Sequence, residues 1–170
     1  MTEQSELYDA LKGMTGVSNI TEHKFKANSE SDYYAFGSFS FASDENEAPY
    51  SIVYSIFKKP LSVAIGFSIN FLYEKFERKL LHPEVVELVD KYNRYSIGIK
   101  AHTLEQERDD ELKVSLNTEF YLAGSTNLLE EQVNNIYVTL RFLENAPLVF
   151  SDYLKDNGIK HDYLSSEIKS

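Results

Sequence analysis

Four histidines, His23, His82, His102 and His161, are the side chains best suited to move a proton or ligate a metal in this chain. Each stands alone, with no HExxH or His-x-His spacing that would aim two imidazoles at one ion. His82 reads as a helix-boundary residue and His161 as part of a loose tail. Cysteine is absent, which removes disulfides, thiolate nucleophiles and cysteine-held metals. The densest carboxylates, Glu105, Glu107, Asp109, Asp110 and Glu111, have the composition of a hydrolase pair or a calcium loop. They lack the D-x-[DN]-x-[DN]-G pattern and its glycine, so they read as the solvated tip of a hairpin. Glu130 and Glu131 suit the positive end of a helix. Gly124, Ser125 and Thr126 precede that helix, where backbone amides can hold an anion, but neither GxxxxGK[ST] nor GxGxxG is present. GxSxG is missing too, and no serine has a histidine neighbour in sequence to activate it. No catalytic residue, metal site or cofactor is therefore expected.

Aromatic side chains are abundant, with 12 Tyr and 11 Phe. Stacked on nucleic-acid bases they would need a cationic track. Against 27 acidic residues there are only 17 Lys and Arg, a net charge of −10, which repels phosphate backbones and anionic membranes. Most of the rings belong in a core. Tyr34, Phe36, Val53, Phe57 and Tyr121 point away from the better-filled side of their strands, and form a candidate patch for a protein partner.

The elements that would carry this patch follow from hydrophobic periodicity. A chain of 170 residues suits one domain burying roughly 70% of its unfolded surface, taken here as residues 1–158 with a tail at 159–170. Residues 3–12, with Leu7, Tyr8 and Leu11, form a short amphipathic helix ending at Gly13. Residues 20–27 make a weak edge strand guarded by Lys24 and Lys26. Strands at 33–41, 50–57 and 61–73 follow, the last with apolar residues at every odd position. His82, Pro83 and Glu84 open a second helix whose buried face is Val85, Leu88, Val89 and Tyr92. Residues 97–104 and 112–122 pair as a hairpin across the acidic turn.

Asn127 with Glu130 resembles a capping box, and Leu129, Val133, Ile136, Leu140 and Leu143 continue as the apolar stripe of a long helix. Pro147 should kink or restart that helix, and Gly158 should end it. Short loops between strands imply antiparallel neighbours, so the class is α+β, an antiparallel sheet with helices on one face. The order is helix, several strands, helix, two strands, long C-terminal helix. The free face would be built from Ser51, Ser55, Ser62, Ser68, Ser115 and Asn117. Residues 61–73 fall short of the ~20 needed to span a bilayer, and MTEQSE at the start lacks the apolar core of a signal peptide, so a cytoplasmic location is expected.

The run VDKYNRYSIGIKAH at 89–102 resembles the helix-to-strand junction of YbjN-type bacterial sensory-transduction-regulator domains, in which an aromatic residue followed by Asn ends a helix before a strand. Tyr92 and Asn93 carry the match, although that family often has tryptophan where Tyr92 stands. The acidic turn, the alternating strand and LEEQVNNIYVTLRFLENA at 129–146 then come in the family's order. The strand-rich N-terminal half is longer than in a minimal chaperone. That family is related in fold to the class I type III secretion chaperones, acidic proteins that often dimerise and bind extended segments of other proteins without chemistry. The resemblance implies a non-enzymatic protein-binding module of regulatory or chaperone type, a homodimer engaging a polypeptide through a sheet face or edge strand. The alternative is a small-molecule or lipid-binding sensor, with its pocket between strand 61–73 and the last helix.

Overall fold

The computed structural model describes residues 5–26, 33–59, 62–104, 110–123, 128, 130–161 and 163–166. Its strands are β1 (Val17–Lys26), β2 (Tyr33–Phe41), β3 (Tyr50–Lys59), β4 (Ser62–Glu74), β5 (Lys100–Thr103), β6 (Leu112–Ala123) and β7 (Tyr163–Ser166). Its helices are α1 (Glu6–Lys12), α2 (His82–Tyr95) and α3 (Glu130–Asp156). The sheet runs β1-β2-β3-β4-β6-β5 with every neighbour antiparallel, and β7 pairs with β4 off that path.

The period-2 pattern of β4 becomes a pattern of burial. Ile65, Phe67, Ile69, Phe71 and Tyr73 are buried, and Gly66, Ser68, Asn70 and Leu72 between them lie on the opposite face. The same parity holds for Ala35, Phe39 and Phe41 of β2, Ile52, Tyr54 and Ile56 of β3, and Leu112, Val114 and Leu116 of β6. All three helices cover this one face. α1 contributes Leu7 and Leu11, α2 contributes Val85, Val89 and Tyr92, and α3 contributes Ile136, Leu140, Leu143, Phe150 and Leu154 to one core. Each such side chain contributes about 1.5–3 kcal/mol by leaving water.

Polar groups under the helices are paired. Ser5 caps α1 by accepting from the Tyr8 amide at 3.0 Å. Its own amide donates to Glu22 Oε1 at 2.7 Å and its hydroxyl to Glu22 Oε2. The Tyr54 hydroxyl donates to the same carboxylate and to the Thr21 carbonyl, both at 3.0 Å. On α3, buried Glu144 accepts from the Ser43 amide at 2.9 Å and fixes the β2–β3 connection.

Asn93 has a clear mechanical role. Its side chain donates to the Ala101 carbonyl at 2.9 Å and accepts from the Ala101 amide at 2.8 Å. One carboxamide thus satisfies both outward backbone groups of Ala101 on edge strand β5. The opposite edge, β1, carries a bulge between Ser18 and Thr21, with Asn19 in the left-handed region at φ 52°. Both devices discourage strand addition at a sheet edge.

Several expectations change in three dimensions. Residues 159–161 are not a loose tail: Ile159 is buried, and His161 packs edge-on against Tyr73 and Phe76 at 5.4 and 6.0 Å between ring centres. β7 then pairs with Phe71–Glu74. Strand β4 outruns β3, whose pairing stops at Ser68, and β7 takes up backbone groups that would otherwise lack partners on that side. α3 does not restart at Pro147 but continues through it, and the Pro147 carbonyl accepts from the buried Tyr73 hydroxyl at 2.8 Å. Helix α3 ends as expected at Gly158, with φ +77°. The strand expected from residue 97 begins only at Lys100, and Ile97 is 98% exposed. Glu111, assigned to a wet hairpin tip, is buried. Residues 105–109, the 28–32 turn, and Gly124 to Asn127 with Leu129, including the capping-box asparagine, lie outside the described residues.

Candidate functional site

With all three helices on one side, no described element covers the other face of the sheet, and its side chains fall into rows set by strand register. One row reads Phe25, Tyr34, Phe57, Ala64, Tyr121 across β1, β2, β3, β4 and β6. The next reads His23, Phe36, Ser55, Gly66, Glu119, and the third Thr21, Ser38, Val53, Ser68, Asn117. All five residues expected in the patch, Tyr34, Phe36, Val53, Phe57 and Tyr121, lie on this face and are exposed. Tyr34 pairs with Phe57 and meets Phe36 at 6.1 Å, while Val53 lies one row on, diagonal to Phe36. Tyr121, 75% exposed, stands two strands from Phe57, about 10 Å away at the usual strand spacing, across the small Ala64.

Phe25 and His23 complete the band and were not among the expected residues. Phe25 is 52% exposed and stacks on Phe36 at 5.7 Å and Tyr34 at 6.4 Å, and His23 meets Phe36 at 5.5 Å. The parity that puts Lys24 on one side of β1 puts His23 and Phe25 on the other. That signal was in the sequence.

Beyond the aromatic band the face turns small and polar, as expected from Ser51, Ser55, Ser62, Ser68, Ser115 and Asn117. Gly66 opens a depression of about 200 Å³ here, lined among others by Ser55, Ser68, Asn117 and Glu119. An apolar band beside a shallow pocket of donors and acceptors has the makeup of a protein-contact surface.

The space between β4 and α3, expected as a ligand pocket in the alternative reading, is filled by side chains. Tyr73 and Phe150 are buried there with ring centres 5.6 Å apart. A groove of about 610 Å³ lies instead on the outer side of α3, against the end of α2 and the loop after it. Tyr95, Ile97, Phe142 and Val149 give it an apolar lining, and all four are exposed.

Among the histidines, His23 and His102 are exposed on strands and His82 is exposed at the first residue of α2. His161 is brought to Ser151, Nε2 to Oγ 2.9 Å, a neighbour invisible in sequence. That distance suits a nucleophile and base. Ser151 is, however, buried near the C-terminal end of α3 and the imidazole packs against Tyr73 and Phe76, so the bond serves to dock residues 159–161. Among the described residues no three His, Asp or Glu converge as a metal would require, and no helix is long and apolar enough to cross a membrane. Comparison of the chain with family models, curated proteins and solved structures finds no match.

The phenols under the helices are held neutral. Burial raises Tyr54 well above the ordinary 10.0, aided by the adjacent Glu22 carboxylate. Burial likewise raises Tyr73. Above pH 10 an unfolded chain releases these protons while the native one keeps them, so the unfolded state gains and native stability falls as pH rises. Stability should thus show no tyrosine-linked loss below pH 10 and decline above it. In a urea titration at stepped pH, tyrosinate absorbance from these two rings should appear only with unfolding.

Proposed function

We propose that this chain is a protein-binding module without chemistry of its own, acting in the cytoplasm in a regulatory or chaperone role, and that the uncovered sheet face is where its partner docks. The observation that carries this reading is the exposed band of Phe25, Tyr34, Phe36 and Phe57, flanked by Val53 and Tyr121 on the same face. Rings held at fixed register on a sheet lose little conformational freedom on binding, and exposed apolar patches of this kind mark protein contacts. The guarded edges at Ala101 and Asn19 favour docking on the face over strand addition. A net charge of −10 favours a basic or neutral polypeptide over a nucleic acid. The likeness of 89–102 and 129–146 to YbjN-type domains supports the same class.

The test places a photo-crosslinker at position 121 in the source cell, with Phe57→Asp as the control for the surface. A discrete crosslinked protein that disappears with Phe57→Asp is the expected result, since a charge in the middle of such a patch should weaken binding about 100-fold or more. Light scattering reads the homodimer in the same samples. Twice the chain mass, reverting to one chain in Phe57→Asp, makes a second copy the occupant. Crosslinks unaffected by the substitution, in a variant with unchanged circular dichroism, would rule the face out.

A further inference from the structure

The groove beside α3 is a separate surface from the open sheet face, on the helical side of the molecule. One stripe of α3 at helical spacing builds it: Phe142, Asn145, Val149, Asp152 and Asp156. Its far wall is the loop between α2 and β5, and that loop is held tightly. The Ser96 hydroxyl donates to the Ile99 carbonyl, and Lys100 Nζ donates to the carbonyls of Asn93 at 2.6 Å and Ser96 at 2.8 Å. Ile97 is therefore almost wholly exposed on an anchored turn, in one groove lining with exposed Tyr95, Phe142 and Val149. The floor is rigid as well. Tyr92 packs edge-on to Tyr153 at 5.3 Å, and the Tyr153 hydroxyl donates to the Leu88 carbonyl at 2.7 Å.

Size, lining and charge together choose the occupant. About 610 Å³ lies within the range of small-molecule sites, and the walls are aromatic and aliphatic. Among the residues that line the groove there is no lysine or arginine, while Asp152 and Asp156 stand one turn apart at one end of the stripe. Asp152 meets Lys155 at 3.5 Å, an exposed pair in which its side chain remains 76% accessible to solvent. Nearby, Lys91 is held on Asn157 Oδ1 at 2.8 Å. A lining of aromatic and aliphatic side chains with two carboxylates favours an organic cation over an anion or a neutral lipid.

We propose that this groove binds a small amphipathic organic cation, its apolar body along Ile97, Phe142 and Val149 and its positive head at Asp152 and Asp156. The carboxylates then select by charge what the apolar walls alone would accept by shape.

Decyltrimethylammonium and decanoate, matched in chain length and opposite in charge, test this by calorimetry below their micelle concentrations, with amide resonances of 96–99 and 142–156 followed in parallel. The cation should saturate with shifts at those residues and bind at least about tenfold tighter than decanoate. Asp152→Asn with Asp156→Asn should reduce cation affinity about tenfold and bring the two probes close to parity. Glu130→Gln with Glu131→Gln removes the same charge from the distant end of α3 and should leave the cation within about twofold, which separates a local site from the field of an acidic protein. Equal affinity for both probes, no saturation, shifts elsewhere, or equal loss in the two double variants would each overturn the proposal. None of these outcomes bears on the sheet face, whose test reads crosslinks at Tyr121.

Discussion

Gly37→Ala is expected to destabilise the protein by about 3 kcal/mol or more, at the upper end of what overpacking costs. A Cβ at this position would lie 2.0 Å from the Thr21 carbonyl oxygen and 2.7 Å from the Tyr54 ring. Neither neighbour can yield cheaply. The Thr21 carbonyl belongs to β1 and already accepts from Tyr54, whose hydroxyl is also tied to Glu22. Relief would require β1 to lift from β2, and with it Phe25 and His23 would leave the aromatic band. The urea midpoint reads the effect, with Gly66→Ala as the comparison. There the nearest atoms to a new Cβ are Ser55 Oγ at 3.1 Å and Glu119 Cγ at 3.7 Å, side-chain atoms on an open face, so stability should change by less than about 1 kcal/mol. Equal midpoints for the two variants would mean that the β1–β2 packing described here is wrong.

Phe150→Ala should cost about 3–5 kcal/mol, because the ring is wholly buried and its removal leaves a cavity that a helix packed on a sheet cannot close. The effect should extend to the groove. Phe150 touches three tyrosines, Tyr73 at 5.6 Å, Tyr92 at 4.9 Å and Tyr153 at 5.9 Å, and the last two line the groove. Near-ultraviolet circular dichroism should lose much of its tyrosine signal at temperatures where the far-ultraviolet spectrum is still native. Phe150→Leu, which keeps most of the volume, should cost only about 1 kcal/mol and retain that signal. A near-ultraviolet spectrum indifferent to Phe150→Ala would show that the tyrosine cluster does not depend on this ring.

The alternating strands and the start of α2 at His82 were legible because each is a local pattern. β4 and β6 announce a period of two in side chains, and Val85, Val89 and Tyr92 a period near 3.6. The aromatic patch could be read from the same parity, since which face each residue takes follows from its neighbours once one face is known to be filled. Phe25 follows from the same parity, although the lysines that flank it in sequence give β1 the composition of a solvated edge strand. Tyr92 and Asn93 stood out as a motif, but α2 runs on past them to Tyr95, and the role of Asn93, a carboxamide closing the edge of β5 at Ala101, was not visible. The C-terminal segment was misjudged for a physical reason. Its polar composition suggests solvent, whereas its place in the fold is decided by backbone groups of β4 that β3 is too short to reach.

By itself the sequence determined the class of fold, the antiparallel sheet with one apolar face, and the residues that face away from the core, because periodicity and parity are properties of neighbours along the chain. Only the tertiary structure decided which strands lie side by side, and so that Phe25 meets Phe36, that His161 meets Ser151, and that Ile97 and Val149 face one groove. Those contacts join residues far apart in sequence or on different elements, and their energy depends on distances that no local pattern encodes.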